Sequence, residues 1–178
     1  MVEQLQQQGL QQLTLRKNIL VEGVECAGKT TLIDEMRRKI PGWDLKYLGH
    51  KPGNQFQRYM WEYMVNNGTI FNRSHFSEVV YSDLRQREQP FTDAERTILD
   101  EMAARDSLII FCDPRIEDAK SRYIQRASTQ PVELHELEVV HKLFREVFQN
   151  IPHAKYESKD MSVRDQFIRD LPKLLLSS

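Results

Sequence analysis

Cysteine is scarce in this chain of 178 residues, and long apolar runs are missing. Its two cysteines, Cys26 and Cys112, have no neighbours spaced as zinc ligands, and one lies in a glycine-bracketed loop while the other lies in an apolar segment. We therefore expect reduced thiols rather than a disulfide. No stretch approaches the roughly 20 apolar residues that cross a bilayer, and the N-terminus lacks the apolar core of a secretory signal. These absences predict a cytoplasmic protein with no membrane partner.

An excess of charge of either sign is also lacking, because 25 basic residues face 26 acidic ones for a net charge of -1. This balance provides no bulk attraction to nucleic acid, although it leaves room for a local basic groove. The chain is 40% hydrophobic and 29% charged, which is ordinary for a globular protein of one domain. We expect that domain over residues 15–178, behind a glutamine-rich and mobile extension at 1–14.

A glycine-bracketed loop directly follows the apolar stretch Ile19–Val21. Its spacing, G-x-x-x-x-G-K-T, lets the backbone curl so that successive N–H groups point at phosphate oxygens, and the helix that begins at Lys29 adds its positive end. Lys29 is expected to reach the β- and γ-phosphates, and the Thr30 hydroxyl to ligate Mg²⁺. The spacing therefore predicts a P-loop that binds a nucleoside triphosphate through Gly23, Val24, Glu25, Cys26, Ala27, Gly28, Lys29, Thr30 and Thr31.

Strand and helix patterns alternate along the rest of the chain, which predicts an α/β fold: a P-loop NTPase with a five-stranded parallel sheet and helices on both faces. A capping box at Thr92–Glu95 predicts the start of a helix whose Ile98, Leu99 and Met102 form a core stripe. The predicted strands are Lys17–Val21, Leu45–Leu48, Thr69–Asn72, Ser107–Cys112 and Lys155–Glu157.

Open parallel sheets bind ligands at the carboxyl ends of their strands, so three further segments are candidates for the site. They follow the second, third and fourth predicted strands, at residues 49–53, 72–77 and 113–115.

The residues of two motifs together resemble one family, the thymidylate kinases and their relatives among deoxynucleoside and deoxynucleotide kinases. Glu22–Thr31 is similar to that family's E-G-[LV]-[DE]-x-x-G-K-[ST]-T loop, and Arg73–Tyr81 is similar to its D-R-x-x-x-S-x-x-x-Y pattern. The short chain looks most like the small members encoded by bacteriophages, which would work in the host cytoplasm. The resemblance implies ATP and Mg²⁺ as cofactors, a small nucleotide as substrate, and a homodimer formed by helices.

The same resemblance implies roles for acceptor-side residues. Arg73 would clamp the acceptor phosphate with its planar guanidinium, and Glu25 would hold the 3′-hydroxyl of the acceptor sugar. Ser77 and Tyr81 share a helix face that would line the acceptor pocket, although core packing explains Tyr81 equally well. Arg85, one turn further on, is either an acceptor contact or a solvated arginine.

A lid over ATP is implied at about 115–132, where Arg122 and Arg126 lie four residues apart. The P-loop contains no basic residue besides Lys29, so an arginine from the lid is needed to stabilise charge on the transferring phosphoryl group. The sequence does not decide which of the two performs this role.

Three departures from the family pattern affect the prediction. Asn72 stands where the family has aspartate, so Asp113 or Glu22 would supply the charge for the metal, and Asp113 is equally well a turn residue. Lys51 precedes Pro52 where nucleoside kinases need a carboxylate, which favours a phosphate acceptor. The base-reading arginine is missing, and Arg58 is a candidate replacement. Nearby aromatic residues would either stack on a base or join the core: Phe56, Tyr59, Trp61 and Tyr63.

Together these features predict an ATP-dependent kinase of a pyrimidine deoxynucleoside monophosphate, with dTMP or a 5-substituted analogue as acceptor. One alternative is a kinase of a hydroxyl, either on a free deoxynucleoside or on a modified base such as 5-hydroxymethyluracil in DNA, and only this alternative includes nucleic acid as a partner. The other is a nucleotide-binding regulator that has lost activity, which Asn72 favours.

Overall fold

The computed structural model describes residues 16–126 and 132–176 and contains one parallel sheet. Its strands lie in the order β2-β3-β1-β4-β5, and every pairing is parallel. All five predicted strands are confirmed, with ends within one residue of the prediction. Their bounds are β1 Asn18–Glu22, β2 Asp44–Tyr47, β3 Thr69–Asn72, β4 Ser107–Cys112 and β5 Ala154–Tyr156.

Helices connect the strands throughout the described part of the chain. The helix expected at Lys29 begins there, and helix α7 runs to the end of the described residues. The helices are α1 Lys29–Lys39, α2 Gln55–Val65, α3 His75–Leu84, α4 Asp93–Asp106, α5 Ile116–Gln125, α6 Leu137–Phe148 and α7 Met161–Leu176, with a 3-10 turn at Leu134–Glu136. The predicted extension at 1–14 and residues 127–131 of the expected lid lie outside the described residues.

Every residue of β1 and of β4 is buried. Successive side chains of a strand point to opposite faces of the sheet, so complete burial means that helices cover both faces. α1 packs against α7, while α3 packs against α6 and α2 against α4. Because β1 lies between β3 and β4, the loops that follow these three strands meet at one edge of the sheet.

Helix α4 begins with the predicted capping box, in which the Thr92 hydroxyl and the Glu95 carboxylate each accept a hydrogen bond from the other residue's backbone N–H. The predicted core stripe is only partly correct. Leu99 is fully buried, but Ile98 is 44% exposed. The helix packs against α2 and β4, so only a narrow face is covered, and Ile98 lies beside that face.

The first glycine of the P-loop lies directly against the end of β4. Gly23 has a φ of +138°, and a Cβ atom built on it would stand 2.3 Å from the carbonyl oxygen of Cys112. No real Cβ tolerates such a distance to backbone, so this glycine is required for packing as well as for loop conformation.

Replacing Gly23 with alanine is therefore expected to lower the free energy of unfolding by about 3 kcal/mol or more. Gly42 provides a matched control, because its φ is +94° but nothing lies within 4 Å of its built Cβ. Gly42→Ala should cost only the backbone strain, about 1–2 kcal/mol. Urea unfolding of both variants measures the difference, and equal losses would contradict the packing argument.

Among the described residues, no helix is long and apolar enough to cross a membrane.

Candidate active site

A cavity of about 470 Å³ opens at the edge of the sheet where β1 ends. The P-loop curls around it, and α1 begins at its floor with Gly28 as the residue before the helix, at a φ of 88°. The unpaired backbone N–H groups at the start of a helix favour anions. The lining residues are Glu25, Cys26, Ala27, Gly28, Lys29, Thr30, Thr31, Tyr47, Asn72, Arg73, Arg122 and Arg126.

Lys29 turns its ammonium group back onto the loop that carries it. Its Nζ donates to the carbonyl oxygens of Gly23 and Val24 at 2.5 and 2.8 Å. Burial is the main cause that lowers the pKa of Lys29 to about 8, and the nearby positive charge of Arg73 is the second. A buried cation on the wall of this cavity favours a polyanionic ligand.

The lowered pKa of Lys29 predicts a pH dependence of nucleotide affinity. As the pH rises through about 8, the free protein loses the positive charge of this side chain, so the dissociation constant for ATP should increase above that pH. The limiting slope is about tenfold per pH unit. Lys29→Arg, which keeps its charge at any accessible pH, should bind ATP with little change between pH 7.5 and 9.5 in a calorimetric titration.

Arg73, Glu25 and Tyr81 form a buried cluster beside the P-loop. Arg73 Nη2 and the Tyr81 hydroxyl donate to Glu25 Oε1 at 2.6 and 2.5 Å, and the guanidinium lies 4.9 Å from the centre of the Tyr81 ring. Burial raises the pKa of Glu25, but the charges of Arg73 and Lys29 outweigh it, so the net pKa lies below its usual range. The carboxylate therefore stays ionised in this cluster.

Two polar atoms of this cluster are buried without a hydrogen-bond partner in the described parts of the chain, Glu25 Oε2 and Arg73 Nη1. Arg73 also has a φ of 72°, which is unusual for a residue with a side chain. Strained backbone and unpaired buried groups are commonly found at functional sites. These features favour a ligand that pairs with both atoms.

A second, smaller cleft of about 180 Å³ adjoins the P-loop cavity and shares Tyr47 and Arg73 with it. We call it the acceptor-side cleft, after the prediction that its side chains face an acceptor. Ser77 and Tyr81, both predicted to face an acceptor, line this cleft together with Arg85. The Arg85 guanidinium also forms an ion pair with Glu136 at 2.7 Å. The full lining is Tyr47, Leu48, Gly49, His50, Arg73, Ser77, Glu78, Tyr81, Ser82, Arg85 and Arg87.

Glu22, one of the two carboxylates suggested for the metal, is fully buried, and each of its oxygens already accepts a hydrogen bond. Ser74 Oγ and Ser77 Oγ donate to its two oxygens at 2.5 and 2.6 Å. The carboxylate thereby joins the end of β1 to the start of α3. It positions the segment that carries Arg73 rather than facing the cavity.

Asp113, the other suggested carboxylate, does not line the P-loop cavity. It accepts hydrogen bonds from His141 at 2.7 Å and from Arg145 at 2.9 and 3.1 Å, and it forms an ion pair with Lys155 at 3.0 Å. Burial raises its pKa, but the hydrogen bonds from His141 and the two cations hold it well below the usual range. Asp113 thus joins β4 to α6 and β5 and does not lie at the predicted metal site in the P-loop cavity.

Arg122, on α5, and Arg126, which directly follows this helix, both line the P-loop cavity. Arg122 Nη1 donates to the Cys26 carbonyl oxygen at 3.1 Å and to Ser158 Oγ at 2.5 Å, and Nη2 donates to the Ser158 carbonyl oxygen. Arg126 lies at the rim and is exposed. The structure therefore brings both candidates to the cavity and fixes one of them against the P-loop backbone.

Lys51 and Arg58, both predicted to contact an acceptor, do not line the acceptor-side cleft. Lys51 lines a third cavity, of about 470 Å³, which shares His50, Ser82 and Arg87 with the acceptor-side cleft. Arg58 Nη1 donates to the Gly49 carbonyl oxygen at 2.9 Å and to Gln55 Oε1 at 3.2 Å, which fixes the loop after β2. Its position supports that loop rather than the lining of the cleft.

The aromatic residues of α2 divide between core and surface. Tyr59 and Tyr63 are buried, and Phe56 packs against the core, whereas Trp61 is exposed. None of the four lines the acceptor-side cleft of the described chain. Core packing is therefore the better explanation for the two tyrosines and Phe56.

Oxygen donors suited to a hard cation lie on the cavity wall. The Thr30 hydroxyl is exposed at the start of α1, and Asn72 Oδ1 is buried there without a hydrogen-bond partner in the described residues. Mg²⁺ prefers oxygen ligands and keeps several waters, so a hydroxyl and an amide oxygen beside bound phosphates fit it. Position 72 therefore offers a neutral amide oxygen rather than a carboxylate to the cavity.

Tyr47 and Arg87 line these cavities without having been singled out in the sequence, and Ser158, which holds the Arg122 guanidinium at the cavity wall, was not singled out either. Ser158 follows β5, the one strand after the P-loop whose carboxyl end was not considered as part of the site, whereas Tyr47 is the last residue of β2 and was predicted only as part of that strand. Arg87 follows α3, and no local signal marks it. Ser158 also limits the P-loop, because a Cβ at Gly28 would stand 2.9 Å from its Oγ.

Comparisons with known proteins show the fold. No family model matches the sequence, and a search of characterised proteins finds no relative. The structure of YorR from Bacillus subtilis, in complex with phosphorylated GDP, is 17% identical and has a TM-score of 0.72 over 89% of this chain and 95% of that one. Deoxyadenosine kinase from M. mycoides with bound dCTP is 15% identical, with a TM-score of 0.58 over 88% and 98%. At such identities the likeness establishes a shared α/β architecture and nothing beyond the fold.

Proposed function

We propose that this protein transfers the γ-phosphoryl group of ATP to a pyrimidine deoxynucleoside monophosphate, with dTMP or a 5-substituted analogue as acceptor. The observation that carries the proposal is the meeting of two cavities at Arg73. One cavity is built around a P-loop, and the other is lined by cationic side chains. A donor in the first and an acceptor in the second would place the two reacting phosphates on either side of this guanidinium.

The chemistry proposed for this site is mostly positioning and charge stabilisation. Lys29 would leave the carbonyl oxygens of its own loop and bind the β- and γ-phosphates. Arg73 would hold the acceptor phosphate, and Arg122 and Arg126 would stabilise charge on the transferring group from the opposite wall. Glu25, fixed by Arg73 and Tyr81, would accept a hydrogen bond from the acceptor sugar through its unpaired Oε2.

The cofactor proposed beside ATP is Mg²⁺, held by Thr30 and by Asn72 directly or through water. When bound, such an ion neutralises charge on the phosphates. The phage-type origin, the cytoplasmic location and the homodimer implied by the family resemblance stay predictions.

The guanidinium groups of the acceptor-side cleft favour a phosphate over a neutral hydroxyl. Three guanidinium groups line it, those of Arg73, Arg85 and Arg87, with Glu78 in the lining and with Glu25 and Glu136 as the partners of Arg73 and Arg85. A planar guanidinium matches a phosphate with paired N–H donors, and a neutral hydroxyl has no such requirement.

A kinase of a hydroxyl is the second candidate, and one observation favours it. Glu25 Oε2 is buried without a partner in the described chain, on the wall of the P-loop cavity beside Arg73, where a carboxylate can take a proton from an attacking hydroxyl. The third cavity, beyond His50, provides space for an acceptor that is larger than a mononucleotide. Base-modified DNA belongs in the test for this reason.

The test is conversion of ATP to ADP with Mg²⁺ against pyrimidine and purine deoxynucleoside monophosphates, free nucleosides and DNA containing 5-hydroxymethyluracil, with products identified by mass. A diphosphate formed from a pyrimidine monophosphate is the expected result. If a nucleoside or the DNA is phosphorylated while none of the monophosphates reacts, the second candidate is established. ATP binding without any product, together with activity gained in Asn72→Asp, would identify a regulator that has lost catalysis.

A further inference from the structure

Glu78 lies on α3 and faces the acceptor-side cleft with both carboxylate oxygens engaged. Its side chain is only 7% exposed. The Tyr59 hydroxyl lies 3.2 Å from Oε1, and His50 Nδ1 lies 2.9 Å from Oε2. Neither contact involves the P-loop, and none of the steps proposed above uses this carboxylate.

His50 is the partner of Glu78 that reaches the open cleft. Its side chain is 59% exposed, and it lines both the acceptor-side cleft and the third cavity. A carboxylate accepts but cannot donate, so Nδ1 must carry the proton that lies between the two groups. The tautomer of a neutral His50 is thereby fixed, with a lone pair on Nε2.

We propose that His50, held by Glu78, reads the base of the acceptor by accepting a hydrogen bond at Nε2 from the ring N3–H of a uracil or thymine. This inference rests on the proposed function, because it assigns the base specificity of the same cleft. Cytosine is disfavoured, since its N3 has a lone pair and would face the lone pair of Nε2.

The arginines around the cleft and Ser77 do not provide this selectivity. Arg73, Arg85 and Arg87 are donors only, and a donor at N3 would favour cytosine. The Ser77 hydroxyl is committed to Glu22. The charged groups near His50 are Glu78 on α3, Lys51 on its own loop, and Arg87, Glu88 and Glu95 around the third cavity. Among these, Glu78 forms the contact with the imidazole.

The experiment compares kcat/KM for dUMP and dCMP at pH 8, because these two acceptors differ only at the N3 and C4 edge. We expect the wild-type protein to prefer dUMP by about tenfold or more. His50→Phe keeps a flat ring without nitrogen and should bring the ratio to within about threefold of unity, with little change in the KM for ATP. His153→Phe, which removes an exposed imidazole elsewhere on the surface, should leave the ratio unchanged.

Glu78→Gln separates base reading from a structural role of the pair. The glutamine amide can donate to Nδ1, which moves the imidazole proton to Nε2 and presents a donor to the base. The ratio should then fall or invert towards dCMP, whereas loss of loop support alone would lower both activities and leave the ratio as it was.

Calorimetric binding of dUMP and dCMP without ATP distinguishes failure of this inference from failure of the proposed function. If dUMP is bound tenfold more tightly but never phosphorylated, the kinase proposal fails and base reading stands. A ratio that His50→Phe does not alter, a wild-type preference for dCMP, or binding of neither pyrimidine would overturn the assignment of His50.

Discussion

Replacing Lys29 with methionine is expected to lower kcat/KM for phosphoryl transfer by about 10²–10³-fold or more. Methionine keeps the length and apolar stem of lysine, so the buried side chain still fits, but the positive charge is lost. The ammonium of Lys29 is the basic group within the P-loop, and it is already buried against the loop carbonyl oxygens. Removing it leaves developing charge on the β- and γ-phosphates without a fixed partner.

The measurement is steady-state ADP formation with the accepted monophosphate, together with ATP affinity. Lys39→Met is the matched control, because Lys39 is the exposed last residue of the same helix, and its activity should stay within about twofold of wild type. Wild-type turnover in Lys29→Met would disprove the P-loop role assigned to this residue.

Replacing Arg73 with glutamine should lower kcat/KM for the acceptor by about 10²–10³-fold while ATP affinity changes little. Arg73 belongs to both cavities, and its unpaired Nη1 provides a donor for a bound phosphate. Arg73→Lys keeps the charge but loses the planar pair of donors, so it should show an intermediate loss.

Stability must be followed in the same experiment, because Arg73→Gln leaves the buried Glu25 without its cation. Loss of one partner of a buried pair costs about 3–5 kcal/mol. A thermal melt with saturating ATP separates unfolding from loss of acceptor binding, and Arg105→Gln provides an exposed control. An Arg73→Gln protein that melts as the wild type does and keeps its acceptor KM would contradict the clamp.

Local patterns in the sequence were enough to predict the sheet and the P-loop. The strands are short apolar runs bounded by polar residues, and Gly23, Gly28 and Lys29 follow the first of them at a spacing that one loop conformation requires. The burial of β1 and β4 on both faces explains why their patterns were so clear. Such features depend on residues that are close together in the chain, so they can be recognised from the sequence alone.

The partners of the carboxylates could not be predicted in this way. Glu22 and Asp113 both end or follow central strands, and either was a reasonable metal ligand. Their actual partners come from α3, and from α6 and β5, between 28 and 55 residues away in the chain. Only the packing of those elements decides which carboxylate is satisfied internally. The same limit applies to Arg58, whose target is a backbone oxygen in the loop after β2.

The resting place of Arg122 has a consequence for the entropy of nucleotide binding. An arginine side chain loses about 1.5–2 kcal/mol of rotamer freedom when it is immobilised. Here the guanidinium is already fixed at the cavity wall by the Cys26 carbonyl and by Ser158, before any nucleotide arrives. That loss therefore belongs to the folding of the protein, and a nucleotide bound in this cavity would contact a cation whose rotamer entropy is already lost.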